Sequence, residues 1–433
     1  MKNILYLHTH DMGRYNSLYG YAIDTPNIQA FSNDAVVFQN AFCCGPTCSP
    51  SRAALLTGLT PHASGMIGLA HRGFSLNNPQ QHLSSYLRTQ GYHTVLCGAQ
   101  HEAKTPDLLG YDEIKQLRAP AIEADQAAAQ YAAEYFAQAK SPFFISVGLF
   151  YPHRVYLPYT DIDPSDVRVP ACLPDNPQTR GDFADYMTSV KEADKNFGIV
   201  LDALKASGLY DDTIVVLTTD HGIAFPDMKC HLYDAGIGIT LAIKDAGQNS
   251  ARRADTLVSH IDVFPTLCDL TNLPPPEWLE GVSLKPVLKG SDNEVNEYIY
   301  SEVTYHAAYE PMRCIRSKQF KFIRHYDNEF MRTVMPNVDD GPSKRFLMEY
   351  GLAERKKAQF EMYDLYYDPN ERNNLADDPA YAQQRKTLET ALYAHMERTG
   401  DPYFFAPDAR VPLPAGAIAN RRECTHPDEN DFE

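Results

Sequence analysis

Short apolar runs recur along this chain, and polar residues follow each of them at once. The runs fall at residues 3–7, 92–97, 142–150 and 213–219. They are rich in β-branched and aromatic side chains, which is typical of strands buried on both faces in the middle of a parallel sheet. Helices are predicted between them from spacing and propensity, at 79–90, 120–140 and 183–206. The pattern therefore predicts buried strands that alternate with helices.

The polar stretch GSDNEVNE at 290–297 marks a change of pattern and predicts a domain boundary. We expect a larger domain at 1–290 and a smaller one at 291–433. The second domain begins with the runs EYIYSEVTY, MRCIRS and FKFIRHY, which have the lengths and composition of antiparallel strands. A helix is predicted at 378–397, and the tail after Pro402 is expected to be extended.

Composition and charge narrow the classes of partner. The 433 residues are 44% hydrophobic, enough for a large core, and carry a net charge of −17 with a pI near 5.3. Such an acidic chain lacks the overall positive field that attracts nucleic acid. No apolar run has the length of a membrane span. We expect neither nucleic acid nor membrane as a partner, although a local cluster of cations can still bind a small anion.

Cysteine usage points to a reducing compartment. The nine cysteines are odd in number and irregularly spaced, so they do not indicate a disulfide framework. Cys43, Cys44 and Cys48 lack a second Cys or His pair at zinc-like spacing. The apolar run NILYL begins within two residues of Met1, which leaves no room for a signal peptide. We therefore predict a cytoplasmic protein.

Residues 43–62, CCGPTCSPSRAALLTGLTPH, carry the densest candidate chemistry. Pro50 fits the first turn of a helix, which we predict from about Pro50 to Leu56, with Cys48 just ahead of its N-terminus. The free N–H groups and partial positive charge of that end suit a tetrahedral oxyanion. Arg52 adds a forked, permanently charged donor within one turn. For Cys48 alone, a buried thiol is the alternative.

Polar side chains also stand where the predicted strands end. They are His10 and Asp11, His101, His153, and the pair Asp220 and His221. Open α/β sheets place ligand sites at the carboxyl ends of their strands, so we expect these residues to converge near Cys48. Alternatives stay open for three residues: a helix N-cap for Asp11, a satisfied loop histidine for His153 and a solvated surface lysine for Lys229.

These motifs together resemble those of the type I sulfatases. The stretch Cys48 to Gly58 is similar to the family signature C-x-P-S-R-A-x-L-L-T-G, and Asp220-His221-Gly222 after an apolar strand is similar to its T-D-[NH]-G. Tyr151-Pro152-His153 resembles its P-H-x-P loop, and Lys229 matches its sulfate-binding Lys or Arg. Residues Gly91, Tyr92, Thr94, Gly98 and His101 match its pattern G-Y-x-T…G-K-W-H.

The resemblance implies a reaction and its parts. Cys48 would be oxidised by a formylglycine-generating enzyme to formylglycine, whose hydrated aldehyde attacks sulfur with one hydroxyl and expels sulfate with the other. Arg52 and Lys229 would offset charge on the sulfate oxygens, and His153 or His101 would protonate the leaving atom. A divalent cation would be held by His10, Asp11, Cys48, Asp220 and His221.

The chain departs from the family pattern at two places that bear on the chemistry. His10 stands where the family has an aspartate, and Ala99 stands where it has a lysine that touches sulfate and formylglycine. His71 or Arg72 could supply the missing positive charge. The resemblance implies calcium as the metal, but imidazole ligands at His10 and His221 favour manganese or zinc.

The resemblance covers nearly the whole chain and implies an α/β, alkaline-phosphatase-like fold. That fold has a large mixed, mostly parallel sheet between helices and a smaller C-terminal α+β domain. The stretches FPDMKCHLYDAG and TYHAAYEPMRCIRS are similar to heparan N-sulfatase and its bacterial relatives. This implies that Tyr305, His306 and Arg313 reach a sugar, with ordinary strand residues as the alternative.

Three functions follow from these observations. The first is a sulfatase that hydrolyses a sulfate ester or sulfamate of a sugar or other small molecule. The second is a phosphonate monoester or phosphodiester hydrolase that uses the same formylglycine, because Asp220-His221 and the alanine at position 99 fit it too. The third is a non-catalytic anion binder, which the retention of Cys48 together with Arg52 disfavours.

Overall fold

The structure, a computed structural model, describes residues 1–248, 251–429 and 431–433. It contains a large mixed sheet of eight strands in the order β4-β3-β5-β1-β6-β7-β2-β8. The strands are β1 Asn3–Thr9, β2 Val36–Phe42, β3 His93–Gly98, β4 Glu113–Lys115, β5 Phe143–Gly148, β6 Thr213–Thr219, β7 Leu241–Lys244 and β8 Arg252–Ser259. Only β7 runs antiparallel to its neighbours in this sheet. The predicted mixed, mostly parallel sheet is confirmed.

A second sheet lies in the C-terminal part of the chain. Its four antiparallel strands, in the order β12-β11-β10-β9, are β9 Ile299–Tyr305, β10 Tyr309–Arg316, β11 Phe320–His325 and β12 Phe360–Asp364. The predicted boundary at residue 290 falls between the two sheets. A search of the described residues finds no helix with the length and apolar character that a membrane crossing requires. All nine cysteines are free thiols.

Helices cover both faces of the large sheet. The α-helices are α1 Pro26–Phe31, α2 Cys48–Thr57, α3 Pro61–Ser64, α4 Leu83–Thr89, α5 Ala121–Phe136, α6 Pro177–Ala206, α7 Asp234–Ile237, α8 Val263–Thr271, α9 Lys285–Leu288, α10 Pro342–Glu349, α11 Ala382–Thr399 and α12 Pro402–Phe405. Alternate residues of β1 belong to two hydrophobic clusters, with Ile4 in one and Leu5 in the other. The cluster that holds Ile4 also contains residues of α2, α8 and the second sheet.

The start of α6 and the form of the C-terminal tail differ from their predictions. The helix predicted at 183–206 begins at Pro177, because the side chain of Asn176 accepts hydrogen bonds from two N–H groups of its first turn. The tail expected to be extended after Pro402 starts with the short helix α12. Asp401 caps that helix by accepting a hydrogen bond from the Tyr403 N–H, and Pro402 suits its first position.

The buried side chain of His82 should make the free energy of unfolding depend on pH. His82 caps α4, with Nδ1 accepting from the Ser84 N–H at 3.2 Å, and burial lowers its pKa to about 3. In the unfolded chain the imidazole has a pKa of 6.5 and binds a proton below that pH, whereas in the folded chain it stays neutral. Protonation therefore favours the unfolded chain, and stability is lost as pH falls below 6.5. His82 should therefore lower the free energy of unfolding by about 2 kcal/mol between pH 7 and pH 5.

Denaturant unfolding at pH 7 and pH 5 measures this effect. The matched variant is His82→Asn, because asparagine keeps an N-cap acceptor but does not titrate. Its unfolding free energy should fall by about 2 kcal/mol less than that of the wild type over the same interval. An identical fall in both proteins would contradict the assignment.

Candidate active site

The order of the strands brings the distant polar motifs together. Strands β5, β1 and β6 are adjacent and parallel, so their carboxyl ends at Gly148, Thr9 and Thr219 lie on one edge of the sheet. The segments that follow carry His153, Asp11 and Asp220 respectively. This is the edge at which doubly wound α/β sheets hold ligands. The convergence predicted from the strand ends is therefore observed.

A group of buried donor atoms at this edge has the chemistry of a cation site. His10, Asp11, Cys48 and Asp220 each offer one ligand atom, and these atoms all lie within 4.8 Å of one another. Nδ1 of His10 is buried and 3.3 Å from Oδ2 of Asp220, yet it lacks hydrogen-bond geometry to any described residue. Burial and the charge of Arg52 lower the pKa of His10 to about 4, so its lone pair is available at neutral pH.

His221 is oriented to join the same group. Its Nδ1 lies 2.9 Å from the carbonyl oxygen of Gly222, which can only accept, so Nδ1 carries the proton and Nε2 the lone pair. Nε2 lies 3.5 Å from Oδ1 of Asp11 and 3.4 Å from Sγ of Cys48. A backbone carbonyl that fixes the tautomer in this way is common for metal-binding histidines. Two carboxylates and two imidazoles form a donor set that fits a divalent cation.

Asp11 is held in a conformation that non-glycine residues rarely adopt. Its φ is 51°, in the left-handed region, and its N–H donates to Oδ1 of Asp220 at 2.8 Å. Oδ1 of Asp220 also accepts from the N–H of His221 at 2.9 Å. The two aspartates are therefore locked to each other through the backbone. Strain of this kind persists where the surroundings over-determine it, which is common at functional sites.

Cys48 is the first residue of α2, which begins two residues earlier than the predicted start at Pro50. Pro50 is the third helical residue. Its missing N–H still costs nothing there, because the N–H groups of the first turn have no acceptor within the helix. Sγ lies 3.9 Å from Oδ1 of Asp11, and the residue is buried. Burial raises the pKa of this thiol, so an unmodified Cys48 is protonated at neutral pH.

Arg52 lies beneath the cation group, and its predicted role needs correction. Its NH2 donates to the Thr9 carbonyl at 2.7 Å and to Oδ2 of Asp220 at 3.1 Å, while its NH1 donates to Nδ1 of His8 at 2.6 Å. The side chain is almost fully buried. Because its terminal nitrogens hold Asp220 and the end of β1, Arg52 positions a carboxylate instead of presenting a fork to an anion.

Lys229 and His153 stand on the other side of Asp11. Nζ of Lys229 lies 2.9 Å from Oδ2 of Asp11 and 3.4 Å from Nε2 of His153. Nδ1 of His153 donates to the carbonyl oxygen of Arg154, so its Nε2 is free to accept a proton. Although burial opposes the charge of Lys229, Asp11 and Asp339 raise its pKa. The alternative of a solvated surface lysine is wrong, since Lys229 is buried.

His101 and His71 form a hydrogen-bonded pair near His10. Nε2 of His101 lies 2.8 Å from Nδ1 of His71, and the ring of His101 lies 6.2 Å from that of His10. Burial lowers the pKa of both His71 and His101, so neither replaces the positive charge that Ala99 omits. Arg72 does not replace it either, because its NH1 and NH2 bind Asn420 and backbone carbonyls.

The structure does not bring two of the three predicted sugar-binding residues to the site. The hydroxyl of Tyr305 donates to the Val411 carbonyl at 2.7 Å, and its ring packs against Phe74. Arg313 is fully buried, and its guanidinium binds Asp401 and backbone carbonyls. Only His306 lies near Lys229, whose charge acts with burial to lower the pKa of His306.

One residue of the site was missed by the sequence analysis. Oδ1 of Asp339 lies 3.4 Å from Nζ of Lys229, although the two residues are 110 positions apart. Asp339 belongs to a short polar run, NVDDGP, that has the composition of a turn. No local pattern distinguishes a turn aspartate from one that faces a distant lysine.

The fold and this site define a class of protein: an alkaline-phosphatase-like hydrolase whose strand ends surround a cysteine at a helix N-terminus. Residues 2–273 match the family model described as Sulfatase, and residues 224–346 match the one described as N-sulphoglucosamine sulphohydrolase, C-terminal. The chain belongs to the sulfatase family, whose members are sulfuric ester hydrolases.

Individual relatives agree with this family. N-sulphoglucosamine sulphohydrolase of Homo sapiens is 28% identical over 456 residues, covering 92% of this chain and 89% of its own. An ulvan-active sulfatase of Formosa agariphila is 28% identical over 412 residues, covering 92% and 80%. The solved structure of BT4656, in complex with its substrate D-glucosamine-2-N,6-O-disulfate, shares the fold at a TM-score of 0.74 and 20% identity, covering 95% and 100%.

Arg355, in the C-terminal part of the chain, anchors the loop that carries Lys229 and should therefore help to position this lysine. Asp227 and Cys230 in this loop both have left-handed φ, 64° and 65°. The Cys230 N–H donates to the Pro46 carbonyl at 2.8 Å, and the Asp227 carboxylate pairs with both terminal nitrogens of Arg355. Without Arg355, the strained loop loses its anchor two residues from Lys229.

We expect Arg355→Met to lower kcat/KM by about tenfold or more, because small displacements of an active-site group are costly. The free energy of unfolding should fall by about 1–3 kcal/mol, because the Arg355 side chain is 45% exposed but its partner Asp227 is only 11% exposed and loses its counter-charge. Arg332→Met is the matched control, with a 41% exposed side chain paired to Glu354. Equal losses of activity in the two variants would refute the positioning role.

Proposed function

We propose that this sulfatase hydrolyses a sulfate ester or sulfamate of a saccharide. The observation that carries the proposal is the buried group of Asp11, Asp220, His10 and His221 around Cys48, with Lys229 beside it. The family match to N-sulphoglucosamine sulphohydrolase over 224–346 supports a sugar substrate, as do the two relatives named for saccharides.

We infer that Cys48 is converted to formylglycine by a formylglycine-generating enzyme and that one divalent cation is held by His10, Asp11, Asp220, His221 and the modified residue 48. When present, formylglycine supplies a hydroxyl nucleophile and the cation polarises a sulfate oxygen. The N-terminus of α2 points unpaired N–H groups toward the same place, which favours an anion there.

The remaining residues have separate parts in this proposal. Lys229 is buried and charged, and it binds a sulfate oxygen. His153 has its Nδ1 proton fixed on a backbone carbonyl, so its Nε2 can hold the proton that the leaving oxygen or nitrogen needs. His101 faces His71 and is the weaker candidate for proton donor, because burial lowers its pKa. Arg52 holds Asp220 from below.

Calcium is the first candidate for the metal, because two carboxylates converge on the site. The two imidazoles, of His10 and His221, are nitrogen ligands that manganese and zinc accept more readily. Elemental analysis of protein purified without added metal separates these candidates. We also propose a cytoplasmic location, in keeping with nine unpaired thiols.

The experiment uses full-length protein produced together with a formylglycine-generating enzyme. Mass spectrometry of the peptide that contains Cys48 should show the fixed mass loss of the conversion. The converted protein should hydrolyse N-sulfoglucosamine or an O-sulfated glucosamine faster than an aryl phosphonate or phosphodiester, and chelation should abolish the activity. Faster hydrolysis of the phosphonate would overturn the proposal, and so would full activity in protein whose Cys48 is unmodified.

A further inference from the structure

The loop at 334–341 is held by hydrogen bonds within the C-terminal part of the chain, and one bond just after it reaches the catalytic part. Nζ of Lys344 is buried and donates to the carbonyls of Met335 at 3.1 Å and Val338 at 2.8 Å. Nδ2 of Asn337 donates to Glu310 at 2.7 Å. Just after the loop, the hydroxyl of Ser343 donates to Asp182 of α6 at 2.6 Å. These hydrogen bonds hold the loop in one conformation and therefore fix the position of Asp339, its one acid that faces inward.

Only one of the two carboxylate oxygens of Asp339 has a hydrogen-bond partner among the described residues. Oδ1 faces Lys229 at 3.4 Å, while Oδ2 makes no hydrogen bond to any residue in the described ranges. The side chain is 18% exposed, which leaves it open to a ligand. Burial opposes its ionisation, but the charge of Lys229 holds the pKa of Asp339 below its usual range. Asp339 is thus a charged acceptor with a free lone pair.

His306 provides a second unsatisfied group, and its charge interactions with Lys229 and Asp339 indicate that it belongs to the same region. Nδ1 of His306 is buried and has no hydrogen-bond partner among the described residues. Burial lowers the pKa of His306, and the positive charge of Lys229 lowers it further. The negative charge of Asp339 acts in the opposite direction. The two residues come from different segments, one after β9 and one before α10. Buried polar atoms without a partner are rare, and a ligand is one way in which they are satisfied.

A carboxylate beside a sulfate-binding lysine limits which substituents the substrate can carry next to its sulfate. It accepts hydrogen bonds from a hydroxyl or an ammonium group, and such charge-assisted bonds are strong. It repels a second sulfate or a carboxylate at the same place, and repulsion of the wrong ligand is a common source of specificity. Asp11 and Asp220 belong to the proposed cation site, so Asp339 is the carboxylate of the site that lies outside it, beside Lys229.

We propose that Asp339, together with His306, binds the sugar next to the scissile sulfate and selects a saccharide with a hydroxyl or amino donor there over one with a second anionic group. This inference rests on the proposed sulfatase function. It adds a specificity-determining residue and a substrate class: a singly sulfated sugar unit.

The test compares converted wild type with Asp339→Asn on matched substrates. These are N-sulfoglucosamine, glucosamine 6-sulfate, the N,6-disulfated sugar and 4-nitrophenyl sulfate, which has no sugar. Wild type should prefer one of the two singly sulfated sugars over the disulfated one by about tenfold or more. In Asp339→Asn, kcat/KM for that preferred sugar should fall by about tenfold or more, mainly through KM, because a charge-assisted hydrogen bond is weakened. The loss on the aryl sulfate should be at least about threefold smaller than the loss on the sugar, because this substrate has no sugar for residue 339 to contact.

The ratio of disulfated to singly sulfated activity should rise in Asp339→Asn and stay unchanged in Asp292→Asn. Asp292 is the matched control because its side chain is 93% exposed and pairs with Arg252 at the surface. Equal losses on the sugar and the aryl sulfate would overturn the proposal, because Asp339 would then act only through Lys229. If Asp339→Asn does not fold, His306→Gln is measured on the same substrates, and the same two patterns of loss support or overturn the proposal.

The two proposals fail in distinguishable ways. Wild type that cleaves the disulfated sugar as fast as, or faster than, both singly sulfated sugars overturns this inference and leaves the proposed saccharide sulfatase standing. Wild type that cleaves only the aryl sulfate overturns both. Wild type with confirmed conversion of Cys48 that cleaves none of the sulfates overturns both.

Discussion

Replacing Cys48 with alanine is expected to lower kcat for sulfate hydrolysis by at least about ten-thousand-fold, the scale on which loss of a nucleophile acts. The variant cannot form the aldehyde that supplies the attacking oxygen in the proposed reaction. The residue occupies the N-terminus of α2, with Sγ 3.4 Å from Nε2 of His221 and 3.9 Å from Oδ1 of Asp11. No other thiol belongs to the cation group found among the described residues.

The matched control is Cys268→Ala, because Cys268 is also a buried thiol but lies in α8 and outside the cation group. Its kcat should stay within about threefold of wild type, while its stability falls by about 1 kcal/mol for the lost packing. Steady-state rates on converted protein measure both variants. If Cys48→Ala kept more than about a hundredth of wild-type kcat, the nucleophile would have to be another group.

The second large effect is on stability. Arg313→Met is expected to lower the free energy of unfolding by about 3–5 kcal/mol, because it leaves buried carboxylates without their counter-charge. Nε of Arg313 lies 2.6 Å from Oδ2 of Asp401 and 3.4 Å from Oε2 of Glu302. The same two acids and His62 satisfy the distances of a metal site, but the guanidinium already supplies the cation.

Denaturant unfolding measures this change, and substrate kinetics separate it from a role in binding. KM should stay within about twofold of wild type, because Arg313 is fully buried and its guanidinium is already engaged. Adding Asp401→Asn should recover part of the lost stability, since it removes one stranded charge. A raised KM with unchanged stability would return Arg313 to the sugar-binding role that its sequence suggested.

The strand-end residues could be predicted because parallel strands share a polarity. Once residues 3–7, 142–150 and 213–219 are recognised as buried parallel strands, Asp11, His153 and Asp220 must lie on a common edge. The structure places them there. The helix at Cys48 was predicted from Pro50 with an error of two residues at its start, because proline is tolerated throughout the first turn.

The side chains of the second sheet could not be assigned in this way. Every residue of β9 is buried, so the alternation that normally separates two faces of a strand is absent. Tyr305 and His306 are neighbours in sequence, yet one fills the core and the other approaches Lys229. Asp339 depends on a contact across 110 positions. Such contacts follow from how the two sheets pack, which no local pattern records.

The pairing of Asp339 with Lys229 has a consequence for how this scaffold diversifies. In the proposed mechanism the groups that act on sulfur follow strands of the first sheet, whereas the proposed sugar-binding residues lie between strands of the second, His306 between β9 and β10 and Asp339 between β11 and β12. Substitutions in those two segments would then change which sugar is accepted without altering the groups that act on sulfur.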